Sequence, residues 1–325
     1  MIKNKKEKII IGVLIVAFVI VCYLITEHKK ASQYEYRVTR ENTIILEKYL
    51  GDDEVVKIPS KLYGKKVVKL EQCFEGNSII QEVDIPATVT TMTETFRNAS
   101  NLRRVTGGEG VETMLSAFAN CVSLERFPDF SNIKYIFIDS FWGCTALESI
   151  NLPEGLESIG GYAFAGAENL KEVVIPKTVV DIGANAFIGT SWYDSLPAKA
   201  IVGDGVLVKL EDNREEMWID EGVKCIGNSV IYDKEMLKKL YIPSTVKSAR
   251  GMRFDLSKKV EVYMPSSVES ILIYNEEGEG LENLTLIVEE GSFAQTYAIE
   301  NGFNYEIVDD VQAIYESTLA ESQSE

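Results

Sequence analysis

Hydrophobic and polar positions follow three different rhythms along this chain. From Ile9 to Thr26 there are 18 residues without a charge. As a helix that run would be roughly 27 Å long at 1.5 Å per residue, close to the thickness of a bilayer's hydrocarbon layer. From about residue 80 the pattern becomes short alternations closed by proline, as in Leu147-Glu148-Ser149-Ile150-Asn151-Leu152-Pro153, Leu170 to Pro176 and Leu237 to Pro243. Alternation with period two predicts strands, and proline, which has no N–H to give to a ladder, predicts a corner at each strand end. A second short strand follows, as in Val89 to Met92, Val111 to Met114, Leu156 to Gly160 and Val179 to Gly183, and then a small residue with a phenylalanine, as in Ala117-Phe118 and Ala163-Phe164. A single helical turn fits that last element. The third rhythm is that of Asp309 to Glu325, with five acids and no Lys or Arg, which predicts a disordered tail.

Six phenylalanines, Phe74, Phe96, Phe118, Phe141, Phe164 and Phe187, recur at intervals of 22, 22, 23, 23 and 23 residues. A fixed period in the low twenties means one coil of a solenoid per unit, each unable to bury its apolar side except by stacking on its neighbours. The stacked rings are expected to form the spine. Between Thr190 and Met217 the register is interrupted, and Gly203-Asp204-Gly205 separates two apolar strands, so an inserted β-hairpin is predicted over 191–217. The period then returns, with Val230 at the expected phenylalanine position.

At these residues the chain resembles the BspA-like leucine-rich repeats of bacterial surface proteins, whose unit runs L-x-x-V-x-I-P, V-x-x-I-G, A-F-x-x-C. The resemblance covers roughly residues 65 to 308. It departs at the third unit, where the strand shortens to Leu124-Glu125-Arg126-Phe127-Pro128, and at the second, where Gly107-Gly108 replaces the proline. The resemblance implies a mainly β leucine-rich-repeat solenoid of parallel strands with short helical turns, here preceded by a single transmembrane helix. The divisions that follow are a basic segment at 1–8, an anchor at 9–26 and a linker at 27–33. A β cap at 34–64, repeats at 65–190, the hairpin at 191–217, degenerate repeats with a C-terminal cap at 218–308 and the acidic tail at 309–325 complete them.

Charge sharpens the picture. The formal net charge is −17, yet residues 1–30 hold six lysines and two glutamates, so the rest is more acidic still. That balance disfavours nucleic acid and anionic lipid as partners of the body as a whole. Lys3, Lys5, Lys6 and Lys8 outnumber Lys29 and Lys30 across the apolar run, which places Met1 in the cytoplasm and the repeats outside. The run ends without an A-x-A-like site, favouring an uncleaved anchor over a secreted form.

Chemistry finds little footing. The one histidine, His28, lies beside the membrane exit, so a histidine triad or ordinary histidine metal site is excluded from the repeats. Cys121 and Cys144 occupy a column of small residues with Ala99, Ala167 and Thr190, which reads as packing, while a disulfide between neighbouring coils stays open. The acidic runs Asp52-Asp53 and 276–279 lack the spacing of a calcium loop. No enzyme activity, cofactor, metal or small-molecule substrate is expected.

Outward strand positions are therefore the candidate partner-binding face: Arg103, Arg104, Arg126, Asn151, Lys171, Val174, Lys238, Lys239 and Tyr241. Arg103, Arg104 and Arg126 form a basic patch on an acidic body, suited to an acidic partner. The competing reading is cross-strand charge pairing, with Arg103 beside Glu125 and Lys171 beside Glu148. A surface binding or adhesion module for a protein or glycan is expected, and the resemblance implies the same. A scaffold of the cell's own envelope is the alternative.

Overall fold

A computed structural model describes residues 5–232, 234–274 and 280–324. The chain forms a β-solenoid preceded by a long helix, α1 (Lys5–Ala31). By length and composition Ile11–Ala31 is apolar enough to cross a membrane. The helix continues through the stretch expected to be a linker, because Glu27 to Ala31 find partners in the cap. Strands Tyr34–Val38 and Ile44–Tyr49 pair antiparallel, and the second starts a parallel sheet that climbs the array as Lys65–Glu71, Thr91–Thr93, Thr113–Leu115, Tyr135–Ile136, Ser158–Ile159 and Asp181–Ile182.

The opposite face is built from the proline-closed strands. Val55–Lys57, Glu82–Ile85 and Arg104–Gly107 form one sheet, and Ser149–Asn151 with Glu172–Val174 another. Between the two faces the phenylalanines stack as expected. Ring centroids from Phe74 to Phe187 are 5.2, 5.2, 5.0, 5.1 and 5.2 Å apart, with interplanar angles of 17° or less. Tyr49 extends the stack at one end, and Trp192 closes it edge-on at 4.8 Å at the other. The spacing is imposed by the backbone, since the N–H of Phe118 donates to Ser140 O (2.8 Å) and that of Phe141 to Ala163 O (2.7 Å).

The phenylalanine element is a turn rather than helix. It is entered through a residue at positive φ two places before the ring, from Glu94 (45°) and Ser116 (47°) to Asp139, Tyr162 and Asn185, and closed by i→i+3 bonds such as Cys121 N–H to Phe118 O (3.0 Å). The change of period from 22 to 23 has a local origin: Met114 to Phe118 spans four steps, Ile136 to Phe141 and Ile159 to Phe164 five. The longer coils carry one more residue between the second strand and the turn. The first of them carries Phe137 at that place, but the coil stacked on it requires glycine, because a Cβ on Gly160 would lie 2.6 Å from the backbone of Phe137 and Ile138. The same positive-φ signature at Ser229 (64°) makes Ile231, fully buried, the successor of the phenylalanines, correcting the assignment to Val230.

At 191–217 the helix α2 (Ser191–Ser195) and an antiparallel pair, Lys199–Val202 with Val206–Leu210, intervene. Val206–Leu210 restarts a parallel sheet through Cys225–Ile226, Ser248–Arg253 and Ser270–Tyr274. The other face restarts at Glu216–Trp218 and proceeds through Lys239–Tyr241, Val260–Met264, Leu284–Glu289 and Asn304–Val308, with α3 (Phe293–Asn301) between the last two. Among the described residues no sheet runs across this seam, and the buried residues fall into two clusters, the first of which reaches Val206, Val208 and Cys225.

The tail is not disordered. Val311–Ser324 is a helix, α4, whose Val311, Ile314, Tyr315, Thr318 and Leu319 fall on one stripe at helical spacing. It folds back over the second half, where Tyr315 Oη donates to Ile219 O (2.8 Å), Trp218 Nε1 donates to Thr318 Oγ1 (3.1 Å) and Val311 N–H donates to Glu289 Oε1 (3.0 Å). Its acids sit on the solvent side, so acidity and order coexist.

Candidate functional site

The sheet face expected to bind is two different surfaces. In the second half it is covered. Trp218, Tyr241 and Tyr263 stack in a ladder at 5.0 and 4.4 Å, and Tyr241 is 2% exposed where α4 lies across the strands. Lys238 and Lys239 pair with Glu215 (2.8 Å) and Glu216 (3.2 Å) of the preceding coil. Tyr241 is thus removed from the candidate face as a core residue, and the two lysines follow the charge-pairing reading.

The first half is open. Arg103, Arg104, Arg126, Asn151, Lys171 and Val174 are all exposed, Val174 at 56%. The registers align them as expected, with Glu82 opposite Arg104, and Asn151 opposite Val174. Among the described residues no ion pair joins Arg103 to Glu125 or Lys171 to Glu148, and the guanidiniums of Arg103, Arg104 and Arg126 have no carboxylate partner within bonding distance. Lys57 and Asp84 do pair, at 2.9 Å, one coil below.

Between strands Arg104–Gly107 and Ser149–Asn151 one rung of this sheet is missing, and the cause lies in the sequence. By the repeat, Pro128 takes the place held by Thr106 and Asn151, two positions before the corner. A parallel strand offers alternate peptide groups to each neighbour, and Pro128 lacks the N–H that would reach Val105 O. Instead the chain turns inward. Phe127 packs on Phe141 (5.1 Å) and Phe130 on Phe118 (6.2 Å), and a Cβ on Gly108 would lie 2.5 Å from the Phe130 ring, so glycine there admits the ring. Glu125 N–H to Arg103 O (3.2 Å) is the one backbone bond between residues 125–129 and the flanking strands, among the described residues.

The result is a cleft of about 660 Å³ with the edge of Ser149–Asn151 as one wall. Its floor and sides are Arg126, Phe127, Pro128 and Phe130 from the sunken coil, with Glu125, Asp129, Glu148, Ser149 and Asn151 at the rim. Sequence reasoning singled out Arg126 and Asn151 and set Glu125, Glu148 and Ser149 on outward strand positions, but missed Asp129. The early Pro128 was the signal that could have located it.

Other candidates gain nothing. Cys121 and Cys144 are free thiols whose Sγ atoms donate to Phe96 O (3.0 Å) and Phe118 O (3.1 Å), so the disulfide left open is not formed. Burial pushes the Cys144 thiol up to about 12 and the Cys225 thiol to about 11. Among the described residues no group of three His, Cys, Asp or Glu could hold a metal ion, and the acidic run 276–279 lies outside them.

A model of the BspA type leucine rich repeat region matches the chain in six copies, over residues 70–192 and 211–304. Among curated proteins, none matches. Several solved structures are similar. A leucine rich cell surface protein from Faecalibacterium prausnitzii is 19% identical, with a TM-score of 0.48 over 75% of this chain and 94% of that one. A leucine-rich repeat protein from Bacteroides ovatus is 22% identical (TM-score 0.36; 79% and 82% covered). The leucine rich repeat protein of T. pallidum is 16% identical (TM-score 0.36; 86% and 98%).

Proposed function

The chain belongs to the BspA-type leucine-rich repeat family, and from that premise we propose that it is a membrane-held binding module whose first half engages a protein partner at the missing rung. The family fold is typically a non-enzymatic binding scaffold, with a role at the surface or in protein interaction. In the finer reading α1 remains as an uncleaved anchor, Met1 lies in the cytoplasm and the repeats face outward.

The observation that carries the proposal is the cleft between the sunken coil and Ser149–Asn151, beside the edge that Arg104–Gly107 leaves unpaired. Two strand edges one rung apart present unpaired peptide groups, so an extended segment of another protein would complete the ladder by β-augmentation. Arg103, Arg104 and Arg126, free of carboxylate partners, favour acidic residues beside them, while Glu125, Asp129 and Glu148 at the rim repel acid there and so set the direction of the segment. A peptide, which carries its own N–H and C=O groups, satisfies these edges where a glycan would not.

To test this, the detergent-solubilised full chain is presented to host matrix proteins and, separately, to the cell's own envelope extract. Capture is expected to fall at least tenfold on combined Arg103→Glu, Arg104→Glu and Arg126→Glu substitution. Unchanged capture by a correctly folded variant removes the cleft as the site. Capture from the envelope extract alone assigns the module to the scaffold reading instead of adhesion.

A further inference from the structure

The end of the array nearest α1 carries a second surface. Between Val55 and Leu70 there are five lysines, Lys57, Lys61, Lys65, Lys66 and Lys69, and no acid, in a protein that is otherwise strongly acidic. Two of the five are neutralised, Lys57 by Asp84 (2.9 Å) and Lys69 by Glu71 (3.1 Å). Lys61, Lys65 and Lys66 have no carboxylate partner among the described residues, nor has Lys29.

Their height relative to a membrane is fixed. Lys61–Leu62 and Lys65–Glu71 form a tight hairpin whose tip, Tyr63-Gly64, is fastened to α1. Glu27 is 6% exposed, accepts from Tyr63 N–H at 2.9 Å and pairs with Lys30 at 3.1 Å. His28 Nδ1 lies 3.2 Å from Tyr63 Oη. These ties fall one and two residues past Thr26, the end of the uncharged run, a displacement of roughly 3 Å along the helix. If that run spans a bilayer, the hairpin rests at the level of the headgroups.

A cavity of about 440 Å³ opens at the same junction. Lys30, Lys57 and Lys61 line it with Ser60, Gln33 and Gly64, together with Glu27, whose carboxylate is taken up by Tyr63 N–H and Lys30, and with Tyr23 from the apolar run. Cations above and an apolar helix below match one kind of molecule, an amphiphile with an anionic head.

We propose that this junction binds the headgroups of anionic phospholipids in the leaflet from which α1 emerges, with Lys61 at the phosphate and Lys29, Lys65 and Lys66 as the surrounding collar. Lysines held near a charged surface each add favourably to the attraction. The site would press the cap against the membrane and hold the acidic array upright. The inference rests on the membrane-held reading of α1 but not on the cleft.

The full chain is reconstituted in nanodiscs of phosphatidylcholine alone or mixed with phosphatidylglycerol. Hydrogen exchange of amides 60–66 and lipid retained on detergent extraction are then read. The mixed discs are expected to slow exchange at the hairpin and to leave phosphatidylglycerol bound. Each of Lys61→Glu, Lys65→Glu and Lys66→Glu should cut retention by roughly fivefold, whereas Lys171→Glu should not. Equal exchange in both discs by inserted protein overturns the lipid site alone. Failure to insert at all overturns the anchor reading together with it.

Discussion

At the residue scale the decisive positions are those that touch the next coil. Phe141 lies between Phe118 and Phe164 at 5.0 and 5.1 Å and is fully buried. Phe141→Ala is expected to cost about 3 to 5 kcal/mol, read from denaturant midpoints, because rigid neighbours cannot close the gap. The cysteines behave likewise as packed small residues. Thiolate is the reactive form, and burial raises the thiols of Cys73, Cys121, Cys144 and Cys225, so at pH 8 each is less ionised than a free cysteine. A charged maleimide should leave all four unmodified in native protein and label them on unfolding. Fast native labelling of Cys121 would show that the coils open. The phenylalanine column was readable from sequence because every coil repeats it. Ile231 is hidden by its change of residue type, although it stands five residues past Ile226 as Phe164 does past Ile159, and the backbone sign at Ser229 fixes the register.

At the element scale the clearest departure from expectation is α4. Its composition argued for a solvated tail, but the spacing of Val311, Ile314, Tyr315, Thr318 and Leu319 already described an apolar stripe. Composition averages over both faces of a helix, whereas burial depends on one. Tyr315→Phe, which leaves Ile219 O without its donor, should cost about 1 kcal/mol. Tyr315→Ala should cost about 3 to 5 kcal/mol and expose Tyr241 to quenchers. If Tyr315→Ala left both stability and Tyr241 accessibility unchanged, α4 would not be the cover of that face. The cleft was half legible: its arginines could be read as an outward column, but the missing rung follows from one misplaced proline, and a strand pattern tallied by apolar positions passes over it.

At the scale of the whole molecule the seam at 191–217 matters most. Stacked coils share stability with their neighbours, and here neither sheet passes the coupling on. What bridges the seam is packing, since Val206, Val208 and Cys225 belong to the first core, and a few hydrogen bonds: Lys209 Nζ donates to Leu196 O (3.1 Å), and Asn228 N–H donates to Ile182 O (3.2 Å). Denaturation is expected in two transitions, with Trp142 and Trp192 reporting the first half and Trp218 the second. Leu240→Ala, deep in the second core, should move the Trp218 transition by about 2 to 5 kcal/mol and leave the other in place. A single concerted shift of all three signals would mean that the halves fold as one. The solenoid class was evident from periodicity, but the division into halves was not, because an inserted hairpin looks the same in sequence whether or not it interrupts hydrogen bonding.

The return path of α4 has a mechanical consequence. Because the helix runs back from Glu289 towards Trp218, a tug on the C-terminal end would unzip its contacts one after another at low force, leaving the coils intact. A load applied at the first-half face would instead be borne by many rungs at once and carried down to α1. The same molecule would therefore yield gently when pulled by its tail and hold firm when pulled by whatever it grips.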